Sequence, residues 1–158
     1  MQRVTGARVR VDDEVVGAIR TGLVALVGVA RGDTVDDAVR LADRTASLRI
    51  FAARDRPFDR SVIDVGGGVL CVSQFTLLAD LRRGNRPSWT DAAAPEAARA
   101  IIDAYVARLR AHGLEVATGV FGAQMRVALD NDGPVTVILD SPDPARARGR
   151  ADAAGPGG

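Results

Sequence analysis

With 158 residues and a mass of 16.5 kDa, the chain can bury about two-thirds of its unfolded surface as a single domain, so folding requires neither disulfides nor a metal. Cys71 is the lone cysteine, which excludes an intrachain disulfide and a multi-cysteine zinc site and suits a reducing compartment. A net charge of +1 supplies no overall basic field from which a nucleic-acid partner could be inferred, and the 21 basic residues, all arginine, read as replacement of lysine across an Ala- and Gly-rich chain.

The N-terminus carries no charged-then-apolar leader pattern, and the longest apolar run, "GLVALVGVA", is too short to span a bilayer. A cytoplasmic protein with no membrane partner is expected. Residues 2 to 29 read as strands: "QRV", then "ARVRV" with alternating apolar and basic positions, "VVGAIR", and the buried run "LVALVGV". "GDTVDDAVRLADRTASL" reads as an amphipathic helix, capped by Asp33 or Thr34, with Val35, Ala38, Val39, Ala42 and Ala46 on one face. "RIFAARDRPFDRS" mixes charge with Pro57 and predicts a loop or loose hairpin.

The glycines at 66 to 68 lead into "VLCVSQFTLL", a predicted buried strand whose end turns polar. A second helix starts at Pro95, places Ala98, Ile101, Ile102, Tyr105 and Leu109 on one face, and stops at Gly113 after His112. "LEVATG", "AQMRVAL" and "VTVILD" predict three more strands, and from 141 to 158 the composition collapses to an Ala/Arg/Gly/Pro tail expected to be disordered. The order of elements predicts an α+β domain over residues 1–140, with a largely antiparallel or mixed sheet.

Conventional catalytic groups are scarce. His112 is the only histidine and falls in the last turn of a helix, where capping is its expected role, so no Ser-His-Asp triad or Cys-His pair is available within one chain. Cys71 reads as a small buried hydrophobe. No cluster has metal-ligand spacing, and the Gly triplet lacks the Lys-Ser/Thr of a phosphate loop. Strand alternation through "VLCVSQFTLL" would put Val72, Gln74 and Thr76 on one face, where buried polar groups need partners; they either satisfy a bulge or line a pocket. Hydrolysis can proceed without a strong side-chain base when backbone N–H groups hold the oxyanion and the substrate contributes its own hydroxyl, and "SQFT" could provide such donors. "NDGPVT" is odd in another way: Pro134 cannot donate to the strand it seems to open.

Together, "QRVTGARVRVDDEVVGAI", "LVALVGVARGD", "LRIF", "VSQFTLLAD", "RGNRPSW", "TGVFGAQM" and "NDGPVTVILD" resemble the D-aminoacyl-tRNA deacylase family from Gln2 to about Asp140. The resemblance implies a compact, barrel-like α+β homodimer. It would cleave the ester that joins a D-amino acid, or glycine mischarged onto tRNA-Ala, to the 3′-terminal adenosine of tRNA, with no cofactor and no metal. It implies that Ser73, Gln74, Phe75 and Thr76 hold the scissile ester, with oxyanion donors around Gln74 and Phe75. Thr76 is the candidate nucleophile if the RNA 2′-hydroxyl does not activate water. Phe121 and Met125 would line the adenosine and amino-acid pocket, although core packing alone explains such residues. Gly133 and Pro134 match a Gly-cis-Pro pair that reaches into the partner's site and rejects L substrates, supported by Arg3, Asn131 and Thr136. Family members carry several residues before "QRV", which a misplaced start codon or a shortened first strand would explain. The competing class is a non-catalytic RNA- or protein-binding module on the same fold; a general esterase or peptidase is disfavoured by the single, poorly placed histidine.

Overall fold

A computed structural model describes residues 1–82 and 84–141; beyond Ser141, the tail anticipated from composition lies outside the described residues. One long strand, β1 (Gln2–Val11), organises the sheet. It joins the two short strands expected at the start, with the register shifting between Val4 and Gly6. Val4, Ala7 and Val9 point inward while Arg8 and Arg10 face solvent, the period-2 pattern of a strand covered on one side.

Along its C-terminal half β1 pairs with antiparallel β2 (Glu14–Ile19), and at residues 2–4 it pairs with β3 (Gly22–Val27). The mixed sheet then turns parallel: β3 lies beside β6 (Gly68–Ser73), and β6 beside β7 (Val116–Thr118). Helix α1 (Val35–Ser47), followed by the hairpin β4 (Phe51–Ala53) and β5 (Arg56–Arg60), crosses from β3 to β6, and α2 (Pro95–Ala111) crosses from β6 to β7. A parallel step requires such crossovers, so the topology is more βαβ-like in this half than the order of elements alone predicts.

The apolar runs of β3 and β6 are continuous because both faces are covered. Leu23, Ala25, Val69 and Cys71 pack under the helices, while Val24, Leu70 and Val72 pack with Val4 and Val9 inside the curled sheet. Leu23, Leu70 and Leu109 are fully buried, each contributing about 1.5–3 kcal/mol of transfer free energy. The curl brings β2 back to β7 so closely that a Cβ on Gly17 would lie 2.6 Å from the Thr118 carbonyl oxygen. The result is an α+β, nearly closed barrel.

Helix α1 begins at a reciprocal capping box between Thr34 and Asp37, and Asp37 is held below its usual carboxylate range by hydrogen bonds from Thr34 and Arg40. Val35 is exposed rather than on the buried face; the buried line runs through Ala38, Ala42, Thr45 and Ala46. Thr45 is tolerated there because its hydroxyl donates to the Leu41 carbonyl at 2.8 Å and lies 2.9 Å from the Tyr105 hydroxyl. Burial pushes the Tyr105 hydroxyl well above its ordinary pKa. About one turn further along α2, Asp43 meets Arg108 Nε and His112 Nε2, each at 2.6 Å. His112 does stand at the C-cap, with Gly113 following at φ +79°, but its ring binds α1 rather than helix carbonyls.

The last strand departs from the prediction. "AQMRVAL" and "NDGPVT" belong to one strand, β8 (Met125–Thr136), antiparallel to β1, and "VILD" continues past its end. No helix among the described residues is long and apolar enough to cross a membrane.

Candidate active site

The parallel strands β3, β6 and β7 end along one edge of the sheet, the place where such sheets commonly hold ligands. Val27 is opposite Ser73 there, and Thr118 is opposite Cys71. The predicted polar strand end does not continue: β6 stops at Ser73, and Phe75–Leu78 forms a short 3-10 helix. Alternating faces therefore do not apply to Gln74 and Thr76. The reason is local, since the Gln74 N–H donates to the Val27 carbonyl at 2.8 Å as the last ladder bond, after which Leu77 N–H turns back to the Gln74 carbonyl at 3.3 Å.

This turn changes which donors are available. Gln74 N–H is committed to Val27, whereas Phe75 and Thr76 open a helix and have no intrahelical acceptor for their N–H groups. Gln74 at the N-cap provides no side-chain cap. Its amide nitrogen instead donates to the Thr76 hydroxyl oxygen. No histidine or carboxylate hydrogen-bonds to Thr76 among the described residues, so nothing there can take its proton. Cys71, five positions before Thr76, is no alternative nucleophile: burial pushes its thiol up to about 12.

Close packing sets the turn's position. A Cβ on Gly28 would lie 2.6 Å from Leu78 Cδ2, 3.1 Å from the Gln74 carbonyl oxygen and 3.2 Å from Leu77 Cβ, so glycine lets the turn lie directly on the end of β3. Phe75 is 59% exposed and meets Trp89 edge-to-face, with ring centroids 5.6 Å apart. Trp89 lies in the segment that returns to α2, a contact that no sequence spacing indicated.

The β7 end adds Phe121 and Met125. Gly119 N–H donates to the Cys71 carbonyl at 3.1 Å, and the chain then runs past the Ser73 end of β6 to Phe121. Arg99 of α2 lies over the Phe121 ring, 5.0 Å from its centroid. Met125 opens β8 and turns its sulfur toward Gly119, where an added Cβ would lie 2.4 Å from Sδ. Both residues are half-buried, so the core-packing explanation and the pocket-lining one are compatible.

Gly133 and Pro134 lie elsewhere. Four residues of β8 lie between the partners of Gln2 and Val4, Thr136 and Asn131, so the intervening segment bulges from the sheet. Asn131 closes the bulge: its Oδ1 accepts from Val135 N–H at 2.8 Å and its Nδ2 donates to Thr136 Oγ1 at 3.2 Å. Arg3 ties the bulge to the body, donating from Nε to the Asp132 carbonyl at 3.0 Å and from Nη1 to the Ile50 carbonyl at 2.6 Å. Its ion pair with Asp132 spans 3.1 Å, and β1 retains this arginine despite starting at Gln2. The Gly133–Pro134 bond is cis, Gly133 has φ +133°, and both residues are exposed. The register separates this bulge from Ser73 of the same chain by four positions, Leu23 to Val27, and three strand spacings, β8 to β1 to β3 to β6.

Among the described residues no group of three or more His, Cys, Asp or Glu side chains is placed to hold a metal ion. An apolar groove of about 1160 Å³ runs between Val27, Leu41, Leu77 and Leu78 on one side and Val137 and Ile138 on the other.

The family model described as D-Tyr-tRNA(Tyr) deacylase matches residues 1–140. A protein of Roseiflexus sp. (strain RS-1) named D-aminoacyl-tRNA deacylase is 57% identical over 141 residues, covering 89% of this chain and 91% of the relative. A solved structure titled c-Myc DNA Unwinding Element Binding Protein superposes with a TM-score of 0.83 at 36% identity, over 90% of this chain and 97% of that one. A second, titled as a probable eukaryotic D-amino acid tRNA deacylase, gives a TM-score of 0.69 at 15% identity, over 84% and 92%, a likeness of fold.

Proposed function

The chain belongs to the D-Tyr-tRNA(Tyr) deacylase family, and on that premise we propose that residues 1–140 form a cytoplasmic, homodimeric hydrolase of D-aminoacyl-tRNA and of glycine mischarged onto tRNA-Ala. The observation that carries this reading is the uncapped 3-10 turn at the end of β6, with Phe75 and Thr76 N–H groups open at its start and no side-chain base beside it. Such a turn suits a substrate that brings its own activating group. The ester of the terminal adenosine has a vicinal ribose hydroxyl, which accepts a hydrogen bond from the attacking water and orients it. The two N–H donors then stabilise the oxyanion of the tetrahedral intermediate, and the Thr76 hydroxyl, engaged by Gln74, orients the ester rather than attacking it. Phe121 and Met125 receive the adenosine end.

Chirality is assigned to Gly133 and Pro134 of the neighbouring subunit. Three features support this: the separation of the bulge from its own chain's Ser73, its exposure, and its double tether through Arg3 and Asn131. Main-chain atoms held rigidly against the substrate α-carbon leave room for hydrogen or a D side chain and collide with an L one, so selectivity arises by rejection. Phe75, Leu77, Leu81 and Ile138 are 58–78% exposed in the single chain around the site and groove. Apolar surface of that kind is what a second copy would cover.

The test is a deacylation assay with matched substrates. Purified protein is expected to clear D-Tyr-tRNA and Gly-tRNA rapidly while leaving L-Tyr-tRNA intact; equal cleavage of the two enantiomers would refute the assignment. Sedimentation should show a dimer, and an active, selective monomer would refute the cross-subunit part. A second reading is favoured by the relative named for DNA-element binding: a nucleic-acid-binding module without turnover. Binding of uncharged RNA with no release of amino acid from any charged species would establish it instead.

A further inference from the structure

Arg99 lies in the second turn of α2, exposed, with its guanidinium carbon 5.0 Å from the centroid of the Phe121 ring. An arginine on a helix surface ordinarily finds carboxylates three or four residues away. Here those positions hold Glu96 and Asp103, yet among the described residues Arg99 forms an ion pair with neither. The side chain instead crosses to another segment and lies on the aromatic that follows β7. Two other arginines are committed to partners of their own: Arg31 Nη2 donates to the Thr90 carbonyl at 2.8 Å, and Arg82 is paired with Asp80 at 2.9 Å.

We infer that Arg99 is a substrate-binding residue: the Phe121 ring steadies its flat face while its edge binds the backbone phosphate of the RNA's terminal nucleotide. The inference rests on reading this sheet edge as the deacylation site. A guanidinium can serve both contacts together, because stacking uses its face and hydrogen bonding its in-plane N–H groups. Phe121 is where a terminal adenosine would lie, so the phosphate one sugar away falls within reach of a side chain already extended over that ring. A cation without a carboxylate partner also retains its full attraction for that phosphate.

The experiment compares two substrates, D-Tyr-tRNA and D-tyrosyl-adenosine, which has the ester and the base but no phosphate. For Arg99→Gln, KM on D-Tyr-tRNA is expected to rise about five- to tenfold, the loss of one charge-assisted contact, with kcat within about twofold. The slope of log(kcat/KM) against log salt should become shallower by about 0.7, one single-strand phosphate contact. D-tyrosyl-adenosine should be cleaved at the wild-type rate, and Arg99→Lys should recover most of the salt slope. Unchanged KM and salt slope on the tRNA substrate would overturn the inference. Equal losses on both substrates would also overturn it, leaving Arg99 as a prop for Phe121. Wild-type protein inert toward both substrates would refute the site itself; active wild type with an indifferent Arg99→Gln refutes only the role of Arg99.

Discussion

Arg3→Ala is the perturbation that most directly separates a rigid bulge from a merely exposed one. The wild-type Arg3 side chain is only 12% exposed. Its bond to the part-buried Ile50 carbonyl, at 2.6 Å, is a charge-assisted interaction worth about 1.5–3 kcal/mol. The contacts to Asp132 are exposed and together add about 1 kcal/mol after solvent screening. A total near 3 kcal/mol corresponds to a fall in Tm of roughly 6–12 °C for a chain of this size, measurable by calorimetry. The functional consequence is distinct: Asp132 immediately precedes Gly133, so its release lets the bulge yield before an L side chain. If that tether contributes about 1 kcal/mol of the rejection, the D/L ratio in kcat/KM falls about fivefold, by faster L-Tyr-tRNA cleavage with the D rate nearly kept. Arg3→Lys should be intermediate, since an ammonium cannot reproduce the guanidinium fork. An Arg3→Ala protein that melts like wild type and discriminates like wild type would refute this account of the brace.

Thr76→Ala is expected to retain kcat within about tenfold, in line with a lost hydrogen bond rather than a lost nucleophile; near-complete loss of turnover with substrate binding intact would make Thr76 the nucleophile. Gly28→Val should lower kcat/KM at least about tenfold, because its side chain would displace the Gln74 carbonyl and the 3-10 turn above it, and a wild-type rate would show that the turn's position does not matter. Asp43 is held below the ordinary carboxylate range, first by Arg108 and then by His112. The stabilisation it provides is therefore fully present above its unfolded pKa of about 3.9. As pH falls through the lower folded value it is lost, so acid unfolding monitored by circular dichroism should be flattened in Asp43→Asn; an identical acid limb would show that the clamp adds nothing.

Much of this protein is written in local chemistry. The capping residue Thr34, Pro95 at the start of α2, Gly113 at its end and the double-sided apolar runs of β3 and β6 are each legible because the physical cause lies within a few residues: a cap, a fixed φ, a left-handed residue, burial on both faces.

What the sequence left open depended on partners distant along the chain. Strand alternation could not foresee that β6 stops at Ser73, because the cause is the Val27 carbonyl taking the Gln74 N–H, which leaves Phe75 and Thr76 as the open donors. Nor could it join "AQMRVAL" to "NDGPVT": β1 holds both in one ladder and forces the surplus residues out as a bulge, which Arg3, 129 positions from Asp132, ties down. The contacts of Trp89 with Phe75 and of Arg99 with Phe121 arise only because the crossover to α2 starts at the same edge where β6 and β7 end. Propensity and capping act over a few bonds and can be read in line, whereas these contacts are products of how the strands are ordered in the sheet.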